Sequence, residues 1–215
     1  MNIFKKQMIL HHTVSTIGGF MAGYTIFNHL DILANAQTGN LLRLVISACT
    51  GNRESIGYCA LLFIAYVSGC VFYTVFRWYD VLSMKIVSLI VTSLAIVGTG
   101  LLSHCGNHYL AVMPIAFAMP IQWNAYKKAG SNSSATVFSS NNVRQAVMLL
   151  TTYLLNKDKK ALRNARFYWA TLLYFHIGAA AACLLSLALS VHSIWFCLIF
   201  VGISSIAYYR YKTAQ

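Results

Sequence analysis

Two short polar blocks hold the side chains of this sequence best suited to binding. The first reads Asn35-Ala36-Gln37-Thr38-Gly39-Asn40 and the second Ser139-Ser140-Asn141-Asn142, each set among long apolar stretches. Carboxamides and hydroxyls offer both donors and acceptors without carrying charge, which suits a small neutral or anionic solute. Gln122 and Asn124 add two amides inside an apolar run, where such groups also hydrogen-bond neighbouring helices. Asn35, Gln37, Thr38, Asn40, Gln122, Asn124, Ser140, Asn141 and Asn142 are therefore the candidate substrate-binding residues. Their ordinary alternative use is as turn and cap formers: Thr38, Asn40, Ser140 and Asn142 can each accept from the unpaired N–H groups of a first helical turn.

Other chemistries find little support. The acids Asp31, Glu54, Asp80 and Asp158 all fall at the ends of apolar stretches or in loops, which argues against a carboxylate-driven pump and against paired-carboxylate catalysis. No zinc-protease, phosphate-loop or nucleophile motif occurs, so neither enzymatic activity nor a cofactor or metal is expected. Cys49, Cys59, Cys70, Cys105, Cys183 and Cys197 show no C-x-x-C spacing and read as small buried hydrophobes. His176 lies mid-stretch and reads as an interhelical hydrogen-bonding group, whereas His11 and His12 read as interfacial.

The elements that must position these residues follow from composition. Hydrophobic residues make up 58% of the 215, and charged residues only 9%, against about 25% in a soluble domain. A bilayer core is about 30 Å thick and takes about 20 apolar residues per helix. Six segments meet that length, at 11–30, 56–78, 86–105, 109–126, 167–189 and 192–209. They are continuous runs rather than alternating strands, which predicts helices rather than a barrel. The apolar segments 41–49 and 143–155, directly after the polar blocks, are short and fit either re-entrant half-helices or interfacial segments.

The net charge of +12 is a matter of topology and not of nucleic-acid binding. With the N-terminus inside, every Lys and Arg except Arg43 and Arg53 falls on the cytoplasmic side, as cytoplasmic loops collect positive charge. Both termini are then cytoplasmic in an inner membrane. Lys5 and Lys6 precede an apolar stretch that ends in Ala34-Asn35-Ala36, the layout of a secretory signal, but its polar content and paired glycines favour a retained first span. Trp78, Tyr79, Tyr208 and Tyr209 sit where interfacial anchors do. Gly19 and Gly23, and the small residues from Gly178 to Ala182, suit close helix packing inside the molecule, with a homodimer left open.

The two halves repeat. Each runs span, polar block, short apolar segment, span, span, with Arg43 and Arg144 soon after the blocks and Gly69 and Gly178 in the next spans. Three spans per repeat invert the second half relative to the first. The predicted fold is all-α: one transmembrane domain over residues 1–215, a polytopic bundle of six spans plus two half-helices, with repeats at about 11–105 and 109–209.

Gly18-Gly19-Phe20, the Asn35 to Asn40 block, Phe117-Ala118-Met119 with Gln122 and Asn124, and Ser140-Asn141-Asn142-Val143-Arg144 together resemble the bacterial YoaK-like family of small membrane proteins of unassigned function. The likeness implies a polytopic inner-membrane protein and supplies no substrate. Members commonly carry an Asp after the G-G-F block, a Gly where Asn141 stands and another near Pro120; here Met21-Ala22-Gly23 follows the block, so coupling through that carboxylate is not expected. The leading functional expectation is a small-solute transporter or permease. The alternative is a non-transporting membrane scaffold or accessory subunit, with lipids as partner in either case.

Overall fold

A computed structural model describes residues 3–30, 32–80 and 82–214. Asp31, expected in a loop, lies outside them. The elements are α1 (Ile3–Asn28), α2 (Gln37–Thr50), α3 (Arg53–Tyr79), α4 (Met84–Leu102), α5 (His108–Ala125), a β1–β2 turn (Lys128–Ala129 and Asn132–Ser133), α6 (Ser140–Asn156), α7 (Lys159–Leu189) and α8 (Cys197–Lys212). Short 3-10 turns at Ser103–Cys105 and Ser190–Phe196 link α4 to α5 and α7 to α8.

Three helical stretches are long and apolar enough to cross a membrane: Arg53–Tyr79, Met84–Cys105 and Lys159–Lys212. Val71, Leu94, Leu173, Leu184, Leu187 and Ile199 stand exposed on them. An exposed apolar surface of that extent is costly in water and costs nothing in hydrocarbon, so this is a helical membrane protein. Helix α1 is more polar for a packing reason. It buries fourteen of its 26 residues, and α5 nine of its 18, whereas α3 buries four of 27. A helix largely sheathed by other helices can carry His, Thr and Gln on the faces that lipid does not reach.

The packing pairs α1 with α7 and α8, and α5 with α3 and α4; α2 lies on α3, and α6 on α7. Glycines make the close approaches. Gly19 abuts the Phe175 backbone, Gly23 abuts Ala179, and Gly178 abuts the Thr16 carbonyl, so the small residues of α1 and α7 meet each other inside the protein. Gly69 of α3 likewise meets the Phe117 carbonyl of α5.

One end of the bundle is basic. There Lys85 Nζ lies 4.3 Å over the Tyr211 ring, the Tyr126 hydroxyl donates to the Lys85 carbonyl (2.9 Å), and Gly130 rests on the Phe4 ring. The opposite end is rich in histidine. His29 Nδ1 and His108 Nδ1 are 3.2 Å apart, the rings of His104 and His192 are 4.9 Å apart, and the Tyr24 hydroxyl donates to the Val191 carbonyl (3.0 Å). Tyr58, under two turns from Arg53, accepts from Asn107 Nδ2 at that same end (3.4 Å).

Candidate functional site

Neither segment after α1 and α5 stays at the end of the bundle. Gly130 meets Phe4 near the start of α1, and the Thr136 carbonyl meets Gly18 of the same helix. Fourteen residues of helix separate those points, about 21 Å at 1.5 Å per residue. Six residues from Gly130 to Thr136 cover that distance only if nearly extended, so the chain climbs along α1 into the molecule. The segment after α1 folds inward too: Ile32 and Ala34 join the central core with Val112, Ile115, Met119 and Val137.

The two loops meet. Asn35 Nδ2 donates to the Val137 carbonyl, a contact between residues 102 apart in sequence. From this junction α2 and α6 run back outward. Their lengths of 14 and 17 residues correspond to about 21 and 25 Å, too short to cross a 30 Å core.

Side-chain roles at the junction differ from one candidate to the next. Asn35 is buried, with its Oδ1 lacking a hydrogen-bond partner. Gln122 is 1% exposed; its Nε2 donates to the Val14 carbonyl (3.2 Å) and its Oε1 has no partner. Gln37 Nε2 donates to the Ala34 carbonyl (3.3 Å) and its Oε1 is also unpartnered. Unpartnered buried acceptors are uncommon and each costs desolvation energy. Here three belong to residues at or beside the loop junction, as does the unpartnered hydroxyl of Thr136, whose carbonyl meets Gly18.

Asn40 and Asn142 take another role. Asn40 Nδ2 donates to the Leu33 carbonyl (3.1 Å) and Asn142 Nδ2 to the Ala135 carbonyl (2.7 Å), each seven residues back. Asn142 also donates to the Phe138 carbonyl (3.2 Å) and accepts from Ser134 Oγ (2.9 Å). The expected first-turn capping is not what they do. Ala36 and Ser139 hold the N-cap positions, and neither makes a side-chain cap hydrogen bond. The asparagines instead pin each loop against the short helix that follows it.

Thr38, Ser140 and Asn141 lie on exposed flanks, where Asn141 Oδ1 accepts from Arg144 Nη2 (3.0 Å). Asn124 donates to the Pro120 carbonyl of its own helix (2.8 Å), while its carbonyl accepts from the Tyr73 hydroxyl (3.3 Å). The structure thus gathers Asn35, Gln37 and Gln122 near the junction, places Asn40 and Asn142 behind it, and leaves the other four candidates aside.

Several sequence expectations change. His11 and His12 are buried, with ring centroids 5.2 and 5.4 Å from Phe167, rather than exposed at the start of α1. His176 is exposed and bonds the Leu172 carbonyl of its own helix (2.8 Å), not a neighbouring helix. Of the cysteines, Cys59 and Cys197 are buried whereas Cys49 and Cys105 are exposed, and all six are free. Thr136 was not singled out by the sequence, since a threonine in a Ser/Thr-rich loop carries no periodic signal. Among the described residues no group of three or more His, Cys, Asp or Glu could hold a metal ion.

Residues 10–207 match the model of a family described only as proteins of unknown function. No curated protein and no solved structure matches the chain.

Proposed function

We propose, for a chain that belongs to this family, DUF1275, that it is a small-solute transporter whose substrate site is the junction of the two re-entrant loops. The YoaK-like likeness is part of the same reading. The observation that carries it is the Asn35–Val137 contact, which sets two broken-helix tips against each other beside the unpartnered acceptors of Asn35, Gln37 and Gln122. Transporters with inverted repeats place their sites in such a position. The free N–H groups at the starts of α2 and α6 add donors to those acceptors. That mixture fits a neutral polar solute better than an anion.

The inverted repeat and six spans belong to this proposal. Their support is the matching of contacts: α1 on α7 and α8 mirrors α5 on α3 and α4, Gly178 on Thr16 mirrors Gly69 on Phe117, and the two asparagines bond back by the same seven residues. The basic end is read as cytoplasmic, which puts both termini there in the inner membrane. Neither an enzymatic step nor nucleic acid enters the reading.

A non-transporting scaffold or accessory subunit is the second reading, favoured by the two large cavities opening at the basic end, away from the junction. Flux of small neutral solutes into proteoliposomes separates the two. Asn35→Leu and Gln122→Leu should abolish flux in protein that elutes as folded, while Asn124→Leu should not. Folded wild-type protein that carries no member of a broad panel, or Asn35→Leu protein that carries as much as wild type, defeats the transport assignment.

A further inference from the structure

The geometry points to a second site, unrelated to the junction: a cavity of about 490 Å3 at the basic end, where the starts of α1 and α7 meet the β1–β2 turn. Its polar lining is Lys160, Arg163 and Arg166 with Ser131 and the amides of Asn132 and Asn164; its apolar lining is Phe4, Met8 and Phe167. We propose that this cavity binds an anionic phospholipid, with its phosphate against the cations and the start of an acyl chain against the apolar group.

Charge is the first argument. Three cations line the cavity and no acid does. The nearest acid in sequence, Asp158, is committed as the N-cap of α7, accepting from the Lys160 N–H (2.7 Å). Arg guanidinium groups bind phosphate oxygens in a fixed forked geometry, and basic pockets between helices on the cytoplasmic side take anionic headgroups.

Depth is the second. Helix α7 has 31 residues, about 46 Å at 1.5 Å per residue. All its charges lie in its first eight residues, and 167–189 carries none. The uncharged part alone fills a core about 30 Å thick, so the cavity's cations stand at headgroup level while Phe167 begins the hydrocarbon.

The third argument is that the cavity is built rather than incidental. The Gly130 N–H donates to Gln7 Oε1 (3.1 Å), Gly130 rests on the Phe4 ring, and the Tyr168 hydroxyl donates to the Ser133 carbonyl (2.8 Å), fixing the turn to both helices. A free phosphate would have no use for the apolar lining. A lipid uses both.

The test is thermal unfolding and native mass spectrometry of the full chain in neutral detergent, titrated with phosphatidylglycerol, phosphatidylcholine, glycerol 3-phosphate and inorganic phosphate. Phosphatidylglycerol should stabilise the protein and stay bound, with the other three giving little. Arg163→Gln and Arg166→Gln, both at exposed positions, should melt as wild type without lipid and bind phosphatidylglycerol about fivefold more weakly each. Lys212→Gln, which removes one charge elsewhere at the same end, should change nothing. Equal binding of phosphatidylcholine, equal protection by the soluble phosphates, or an equal loss in Lys212→Gln would each overturn the proposal.

Discussion

Replacing Asn142 by leucine should unfold this protein far more readily than replacing Asn40, although the two hold matching places in the halves. Asn142 is 1% exposed and engages the Ala135 carbonyl, the Phe138 carbonyl, Ser134 Oγ and the Ala135 N–H at 2.7, 3.2, 2.9 and 3.4 Å. Asn40 engages the Leu33 carbonyl alone, at 3.1 Å. At about 1 kcal/mol net per hydrogen bond, Asn142→Leu loses roughly 3 to 4 kcal/mol and Asn40→Leu about 1. For a chain of this size these losses correspond to melting points lower by about 10 °C and about 3 °C. Fluorescence-detected gel filtration after heating, with the protein fused to a fluorescent reporter, reads both values. A cycle with Ser134→Ala sharpens the test: since that change already removes one of the four bonds, Asn142→Leu should cost about 1 kcal/mol less in its background. Equal melting points for the two leucine variants, or strict additivity in the cycle, would refute the claim that Asn142 holds the second loop through these bonds.

Gly19→Val and Gly178→Val should each destabilise by more than about 3 kcal/mol, since a methyl at either site meets backbone of the facing helix. Gly202→Ala, where nothing lies within 4 Å, should move the melting point little, and gel-filtration yield of the three variants checks the contrast. Reporter fusions after Lys128 and after Lys212 should read cytoplasm, and fusions after Asn107 and after His192 the exterior; a periplasmic signal after Lys128 would break the orientation. In folded protein Cys49 and Cys105 should react with a maleimide while Cys59 and Cys197 stay protected, as mass spectrometry of labelled peptides would report. Rapid labelling of Cys197 would contradict the packing of α8.

How much of this was legible beforehand depended on whether the signal was local. The long apolar runs lie on the helices found, and the segments after the polar blocks form the short helices α2 and α6, because length and hydropathy are local quantities. Asn35 was legible as a polar residue in a specific block, but its partner, the Val137 carbonyl, was not. A backbone acceptor 102 residues away leaves no mark on composition. The burial of His11 and His12 was not legible, because the apolar run begins near them while the helix begins at Ile3; a hydropathy boundary is not a helix boundary. Asn40 and Asn142 were read as caps because their type and position suit capping. That they bond backward to Leu33 and Ala135 depends on how the loops fold, which propensity does not encode.

The pairing of helices also sets a timetable for synthesis. Helix α5 packs on α3 and α4, which precede it on the ribosome, so that cluster can close as soon as α5 is made. Helix α1 packs on α7 and α8, and α7 begins only at Lys159. At ribosomal speeds of about 5 to 20 residues per second, α1 waits on the order of ten seconds for its partner. For that interval His11, His12, Ser15 and Thr16, all sheathed in the finished protein, have no helix of their own to shield them. The nascent chain therefore passes through a stage in which the polar residues of α1 are its least protected, and a product truncated after Cys105 would remain in that stage permanently.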